Sequence, residues 1–161
     1  MANKILIAWY SHSDNTQRVA KELAAVTGGD LCPIEPVTPY PPTYQQVLAQ
    51  SEKEIKAGFC PELKAFAFDL LNYDVIFVGT PNWYGTIAPP ATTFLKHPAL
   101  SGKVVAPFVT HGGGGAATPY RDIKELCKGA TVAPCFDAYG GGSAQLRAEL
   151  ESWVKRVEAL I

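Results

Sequence analysis

The sequence lacks a large excess of charge of either sign, since 14 lysines and arginines face 15 acidic residues and the formal net charge is −1. Nucleic-acid-binding proteins normally carry a surplus of lysine and arginine on one face, so no nucleic-acid partner is expected. The chain also has no apolar run near the ~20 residues that span a bilayer, and no leader pattern follows Met1. We therefore expect a cytoplasmic protein that does not enter a membrane.

Metal-binding patterns are missing as well. The four cysteines form no CxxC pair, and neither His97 nor His111 is spaced as a ligand with another histidine or cysteine. We expect no metal site. Reduced cysteines that serve as small apolar residues are the simplest interpretation of Cys32, Cys60, Cys127 and Cys135.

What the sequence does contain is typical of one globular domain spanning residues 1–161, with 47% hydrophobic and 18% charged residues. Strand patterns alternate with helical patterns and no tandem repeat is present. The predicted strands are 4–10, 31–36, 74–79, 103–109 and 130–138, and the predicted helices are 15–26, 43–57, 89–96, 118–127 and 144–160. This alternation predicts an α/β fold with a doubly wound parallel sheet between two helical layers.

Details of three segments refine this prediction. Residues 31–36 contain Pro33 and Pro36, which favours an edge strand. Pro107 requires a local break in the hydrogen-bond ladder of the fourth strand. Residues 59–71 show no clear period, so we expect a loop with a partial turn there.

A polar loop, Ser11–Thr16, joins the first strand to the first helix and is called the first loop. Its hydroxyl and amide side chains stand where unpaired helix N–H groups and the positive end of the helix dipole favour an anion. It contains no lysine or arginine, unlike the GxxxxGK[ST] loop of nucleoside triphosphate enzymes. A single terminal phosphate is the better match, and an ordinary turn with a polar cap is the alternative.

Two more unusual loops follow buried strands. The second loop, Thr80–Thr86, contains Trp83 and Tyr84, which either form a stacking platform for a flat ring or close the edge of the core. The third loop, Thr110–Gly115, has almost no side chains after His111, so it is either a close backbone approach to a ligand or a flexible turn. All three loops lie at carboxyl ends of parallel strands and should meet on one edge, the rim. Together they suit a phosphorylated planar molecule.

These segments resemble the flavodoxin family, and in particular its compact, short-chain members. The resemblance rests on Tyr10–Thr16, Val37–Pro41 with Tyr44, Tyr73–Gly79 with Pro81–Gly85, and Phe108–Gly113, which occur in the family's order along nearly the whole chain. It implies a five-stranded sheet in the order 2-1-3-4-5, one bound FMN, and the transfer of one or two electrons.

The resemblance also implies roles for individual residues. The FMN phosphate would be held by Ser11, Ser13, Asn15 and Thr16, with His12 contributing mainly its backbone N–H. One side of the isoalloxazine would be lined by Pro81, Asn82, Trp83 and Tyr84, and its other side and pyrimidine edge by Thr110, His111, Gly112, Gly113 and Gly114. Gly85 is the candidate for the backbone that changes its hydrogen bond to flavin N5 on reduction, because glycine tolerates positive φ.

The chain departs from the family pattern at two places. Asp14 stands where glycine is usual, and its carboxylate should weaken phosphate binding, although aspartate tolerates the left-handed conformation and could pair with Arg18. Many flavodoxins place a tyrosine in the third loop, whereas His111 and four glycines stand here. We therefore expect a more open cofactor.

Several functions fit these residues. The favoured one is a low-potential electron carrier that docks on redox partner proteins, although its near-neutral charge differs from the acidic surface of many carriers. The alternative is an FMN-dependent NAD(P)H oxidoreductase that reduces a quinone-like acceptor. Tyr40, Tyr44 or His111 could orient that acceptor. No residue is required as a catalytic acid or base, because the flavin carries the chemistry. Two other classes fit less well: Gly112-x-Gly114-x-x-Ala117 matches a dinucleotide fingerprint but is followed by Pro134 rather than an acid, and the aromatics could mark a cofactor-free interaction domain. The oligomeric state stays open.

Overall fold

The computed structural model describes residues 4–161, and Met1–Asn3, which bear on the expected absence of a leader, lie outside the described residues. Strands and helices alternate along the chain. The strands are β1 Ile5–Trp9, β2 Asp30–Pro33, β3 Val75–Trp83, β4 Thr86–Ile87, β5 Val104–His111, β6 Thr131–Val132 and β7 Phe136–Tyr139. The helices are α1 Asn15–Thr27, α2 Tyr44–Ala57, α3 Pro89–Leu95, α4 Ala117–Leu126 and α5 Leu146–Glu158.

The main sheet is parallel and runs in the order β2-β1-β3-β5-β6, with β7 also paired to β5. In this register Ile7 of β1 lies between Leu31 of β2 and Phe77 of β3. β6 and β7 together occupy the fifth position, and β4 is a short antiparallel addition to β3. The predicted order 2-1-3-4-5 is therefore confirmed.

Two apolar layers hold helices against the sheet. On one face α1 and α5 pack over a core centred on Trp153, whose ring contacts Phe77 and Phe136 at centroid distances of 5.3 Å each. On the other face α3 and α4 pack on the sheet, with α2 beside α3. The three-layer doubly wound architecture predicted from the alternation of strands and helices is confirmed.

The last predicted strand, 130–138, is interrupted. Ala133 still donates its N–H to the Val105 carbonyl at 2.9 Å, but pairing resumes only at Phe136. Because alternate residues of a strand direct their N–H groups to the same side, the nitrogen of Pro107 faces this gap and has no hydrogen to donate. Pro134 lies in the gap itself. The predicted break at Pro107 is confirmed, but it divides the neighbouring strand while β5 continues.

The second loop is shorter than predicted. β3 extends through Trp83, and a two-residue turn of Tyr84 and Gly85 leads directly into β4. Both turn residues have positive φ, 53° and 77°, as a type I′ hairpin requires. Tyrosine rarely adopts positive φ, so the sequence did not indicate this turn. Thr80 to Trp83, predicted as loop, are strand residues.

Several boundaries also differ from prediction. The edge strand stops at Pro33 instead of Pro36, and the closing helix spans Leu146–Glu158 instead of residues 144–160. Helix α4 spans Ala117–Leu126 instead of residues 118–127. Residues 59–71 are mostly irregular, as expected, with one bridge between Pro36 and Leu63. None of the helices in residues 4–161 has the length and apolar character needed to cross a membrane.

Candidate functional site

The first loop leads from β1 into the N-terminus of α1, a helix of 13 residues. Asp14 precedes the helix with φ 68°, the left-handed conformation that aspartate tolerates. Its carbonyl accepts from the Arg18 N–H at 2.9 Å, while its side chain caps no helix N–H. Within residues 4–161 no ion pair joins the side chains of Asp14 and Arg18, so the pairing that their spacing allows does not form. The Asp14 carboxylate is exposed beside the helix N-terminus.

Ser11 carries an unusual hydroxyl. Its Oγ is buried and has no hydrogen-bond partner among the residues that the structure describes. A buried hydroxyl without a partner costs about 1–3 kcal/mol, so native proteins rarely leave one unexplained. The neighbouring Ser13 and Asn15 side chains are exposed. A ligand oxygen that accepts from Ser11 would remove this cost, and a phosphate at the end of α1 has the matching charge.

Thr16 and Thr110 join the first and third loops. Their hydroxyl oxygens lie 2.7 Å apart, and the two residues are 1% and 3% exposed. One hydroxyl donates to the other, so the pair uses one of its two protons and leaves the second available. The N-terminus of α1 is thereby fixed to the end of β5. His12 is held from another side, since its Nε2–H donates to the Pro41 carbonyl at 3.0 Å.

Trp83 belongs to an aromatic cluster with Tyr10 and Tyr40. Its ring meets those two edge-on at centroid distances of 5.5 Å and 5.2 Å. The Tyr40 hydroxyl donates to Glu54, and burial, with a contribution from that carboxylate, raises the pKa of Tyr10 and of Tyr40. Both hydroxyls therefore stay protonated at neutral pH. Trp83 is half-buried and held by the core, and Tyr40 is committed to Glu54 rather than free to orient a substrate.

A cavity of about 160 Å³ lies between the first loop, the second loop and the start of α2. Its walls include His12, Ser13, Tyr44, Pro81, Asn82 and Trp83. Tyr84, half-exposed in the turn, closes one side by donating its hydroxyl to the Leu48 carbonyl at 2.9 Å. Tyr44 is 72% exposed at the mouth. Tyr40, Tyr44 and His111 are the residues predicted to orient a substrate. Among them, Tyr44 is the one whose polar side-chain atoms form no hydrogen bond with another described residue.

Asn82 connects the second and third loops. Its Nδ2–H donates to the Gly115 carbonyl at 2.9 Å, and its Oδ1 accepts from the Gly85 N–H at 2.8 Å. Pro81 beside it is half-buried in β3. Together with the Thr16–Thr110 pair, this contact brings all three predicted loops to one rim.

His111 anchors the third loop. The Gly113 N–H donates to Nδ1 at 3.1 Å, which leaves the proton on Nε2, and Nε2–H donates to Asp137 at 3.0 Å. The His111 and Tyr139 rings are also packed edge to face, with their centroids 6.0 Å apart. Both ring nitrogens of His111 therefore have hydrogen-bond partners within the chain. Gly112, Gly113 and Gly114 are exposed beyond it.

A fourth loop at the rim, Gly140–Gly142, was missed from the sequence. Gly140 donates its N–H to the His111 carbonyl at 2.8 Å. A Cβ on Gly141 would lie 3.2 Å from Arg18 Cδ and 3.4 Å from Asn15 Oδ1, so this loop lies against the start of α1. The three consecutive glycines after the last strand could have indicated it, by the same rule that placed the other loops.

The described part of the chain, residues 4–161, contains no group of three or more histidine, cysteine or acidic side chains that could hold a metal ion. The cysteines are free; Cys32 and Cys127 are buried, and Cys60 and Cys135 are half-buried. The rim thus offers neutral hydroxyls, backbone N–H groups and aromatic rings. This donor set suits an organic phosphate better than a metal.

Comparison with known proteins gives matches along nearly the whole chain. The sequence model of the family described as Flavodoxin matches residues 4–157. No curated protein matches. Among solved structures, a Bacteroides eggerthii protein assigned as a flavoprotein is 28% identical with a TM-score of 0.81, and the match covers 95% of this chain and 99% of that one.

Two further structures share the fold. A Lactobacillus acidophilus flavoprotein in complex with FMN is 23% identical, with a TM-score of 0.79 over 95% of this chain and 99% of that chain. An NADH:FMN oxidoreductase in its apo form is 16% identical, with a TM-score of 0.62 over 99% of this chain and 90% of that chain. Since the family's sequence pattern extends from β1 into α5 and across every loop of the rim, the chain belongs to the flavodoxin family.

Proposed function

We propose that the chain binds FMN at the rim and acts as an electron carrier between redox partner proteins. The observation that supports this most is the buried, unpartnered Ser11 hydroxyl in the loop that leads into α1. A phosphate oxygen there accepts from Ser11 and from helix N–H groups, and the helix dipole stabilises its charge. Ser13 and Asn15 are exposed beside it and complete the cradle, while the Thr16–Thr110 pair keeps one hydroxyl proton that the bond between them does not use.

The second and third loops are suited to a flat ring. Trp83 is fixed by the aromatic cluster and Tyr84 by Leu48, so the second loop presents a rigid wall. The third loop presents glycine backbone, which allows close approach to a ring edge. FMN accepts and releases one or two electrons, and that chemistry belongs to the cofactor. The protein's part is to hold the phosphate, position the ring and limit water on its covered side.

A carrier needs no substrate acid or base, and both nitrogens of His111 in the third loop already have hydrogen-bond partners. The second candidate function is an FMN-dependent NAD(P)H oxidoreductase that reduces a quinone-like acceptor. The cavity of about 160 Å³ between the first and second loops favours this candidate, because it is lined by Trp83 and by Tyr44, whose hydroxyl no other described residue engages.

Purification and reconstitution test the binding proposal. We expect a yellow protein with an oxidised-flavin spectrum that releases FMN on denaturation, or an apoprotein that takes up one FMN per chain. A colourless protein that cannot be reconstituted with FMN would refute both candidates.

Rapid mixing of the reconstituted protein with NADH and with NADPH then separates the two candidates. A carrier bleaches slowly unless a reductase is added. Fast bleaching by either nucleotide alone, followed by reoxidation with a small quinone, would establish the oxidoreductase instead.

A further inference from the structure

Asn82 uses both ends of its side-chain amide between two loops of the rim. Oδ1 accepts from the Gly85 N–H, which belongs to the hairpin turn, and Nδ2–H donates to the Gly115 carbonyl, 33 residues further along the chain. The residue itself is paired with Ile87 in the short antiparallel ladder of β3 and β4. A side chain based on a strand therefore holds two loop segments at once.

The glycine sequence of the third loop matches this arrangement. A Cβ on Gly114 would lie 3.1 Å from Asn82 Nδ2, a distance tighter than ordinary van der Waals contact. A larger residue at position 114 would therefore push the loop away from the amide. The absence of a side chain at Gly114 allows the Asn82 amide to reach Gly115.

We propose that Asn82 is a positioning residue that sets the spacing between the second and third loops, and with it the width of the cleft for the flavin ring. The inference rests on the proposed function, because the cleft matters only where a flat cofactor lies between these loops. Its physical basis is that two hydrogen bonds from one planar amide fix both loops relative to β3. The tie does not depend on whether Asn82 also touches the ring.

Two variants separate the two hydrogen bonds. Asn82→Ala removes both. Asn82→Ser keeps a short hydroxyl that can accept from the Gly85 N–H three residues on, but it cannot reach Gly115. Asn72→Ala is the matched control, because Asn72 is exposed in a 3-10 turn that precedes β3 at the opposite end of the sheet.

The first measurement uses NMR on the FMN-free protein. We expect the Gly85 amide to exchange with solvent roughly three- to tenfold faster in Asn82→Ala and near the wild-type rate in Asn82→Ser, as loss of one hydrogen bond predicts. The Gly115 carbonyl ¹³C resonance should move in both variants and stay in place in Asn72→Ala. A wild-type amide exchange rate for Gly85 and a wild-type carbonyl resonance for Gly115 in Asn82→Ala would show that the two hydrogen bonds of Asn82 do not hold these loops.

The second measurement uses FMN. We expect both Asn82 variants to bind FMN roughly three- to tenfold more weakly than wild type, and the one-electron potentials of the complex to shift, with Asn72→Ala unchanged. Unchanged affinity and potentials in both variants, despite altered NMR signals, would overturn the positioning role. A wild-type chain that does not bind FMN would overturn the proposed function instead, and the NMR readouts would still decide whether the tie exists.

Discussion

The Thr16–Thr110 contact allows a double-mutant cycle across the rim. The two residues are 94 positions apart and almost fully buried, and their hydroxyl oxygens lie 2.7 Å apart. Valine has nearly the shape of threonine with a methyl group in place of the hydroxyl. Thr16→Val and Thr110→Val therefore each remove one partner and leave the other hydroxyl buried.

The expected magnitudes follow from burial. Each single substitution leaves a hydroxyl without its partner and should lower the free energy of unfolding by about 1–3 kcal/mol. The double variant buries no unpaired hydroxyl at this contact, so it should lower the free energy of unfolding by less than the two single variants do together. The difference, the coupling energy, should be at least about 0.5–1.5 kcal/mol, the net value of one hydrogen bond.

Urea unfolding of the FMN-free protein, followed by circular dichroism, measures these free energies. Thr38→Val is the control, because Thr38 is exposed, and it should change stability by no more than about 0.5 kcal/mol. Single variants as stable as this control, or a double variant that costs the full sum, would refute the claim that this pair fixes α1 to β5.

Three more predictions concern charge, backbone and pH. Asp14→Gly should tighten FMN binding. Asp14→Asn should also tighten it, through the loss of charge alone, by about 1 kcal/mol of binding free energy or roughly fivefold in affinity. Titrations that show unchanged or weaker FMN binding would refute the proposed repulsion between Asp14 and the phosphate. Gly85→Ala should shift the one-electron potentials, because Gly85 has φ 77° and a Cβ there meets nothing within 4 Å; unchanged potentials would exclude a role for this backbone. Burial raises the pKa of Cys32 and of Cys127 from 9.0 to about 11, so the folded chain keeps protons that the unfolded chain loses. This contribution to stability is complete below the unfolded pKa and is lost as pH rises toward the folded one; the midpoint of urea unfolding should therefore fall as the pH rises above about 9, and it should fall less steeply in Cys32→Ala. A urea midpoint that does not change with pH would contradict this prediction.

The regular part of the fold could be predicted because its signals are local. The continuous apolar run of β3 is typical of a strand buried on both faces, and α1 ends at Gly28, whose φ of 73° is the left-handed stop that glycine favours. The hairpin after β3 could not be predicted, since it depends on Tyr84 at positive φ, which its residue type disfavours. The split of the last strand coincides with Pro134 inside it and with Pro107 in the neighbouring strand, and the part that Pro107 plays follows only from the pairing of the two strands.

The candidate site shows the same division. The loops were predicted to meet because the carboxyl ends of parallel strands share one edge. The ties between them, Thr16 to Thr110 and Asn82 to Gly115, join residues far apart in sequence and follow only from the packed structure. The Asp14–Arg18 pair that the spacing allows does not form, and the Arg18 side chain lies against Gly141 of the fourth loop, whose place at the rim no local pattern indicates.

The most direct test of the phosphate cradle compares FMN with riboflavin, which lacks the phosphate, on wild-type protein and on Ser11→Ala. If Ser11 donates its buried hydroxyl to the phosphate, Ser11→Ala should weaken FMN binding by about 1.5–3 kcal/mol, the value of a hydrogen bond to a charged group, and leave riboflavin binding unchanged. Equal loss for both flavins, or an FMN affinity unchanged by the substitution, would contradict a phosphate site at the first loop.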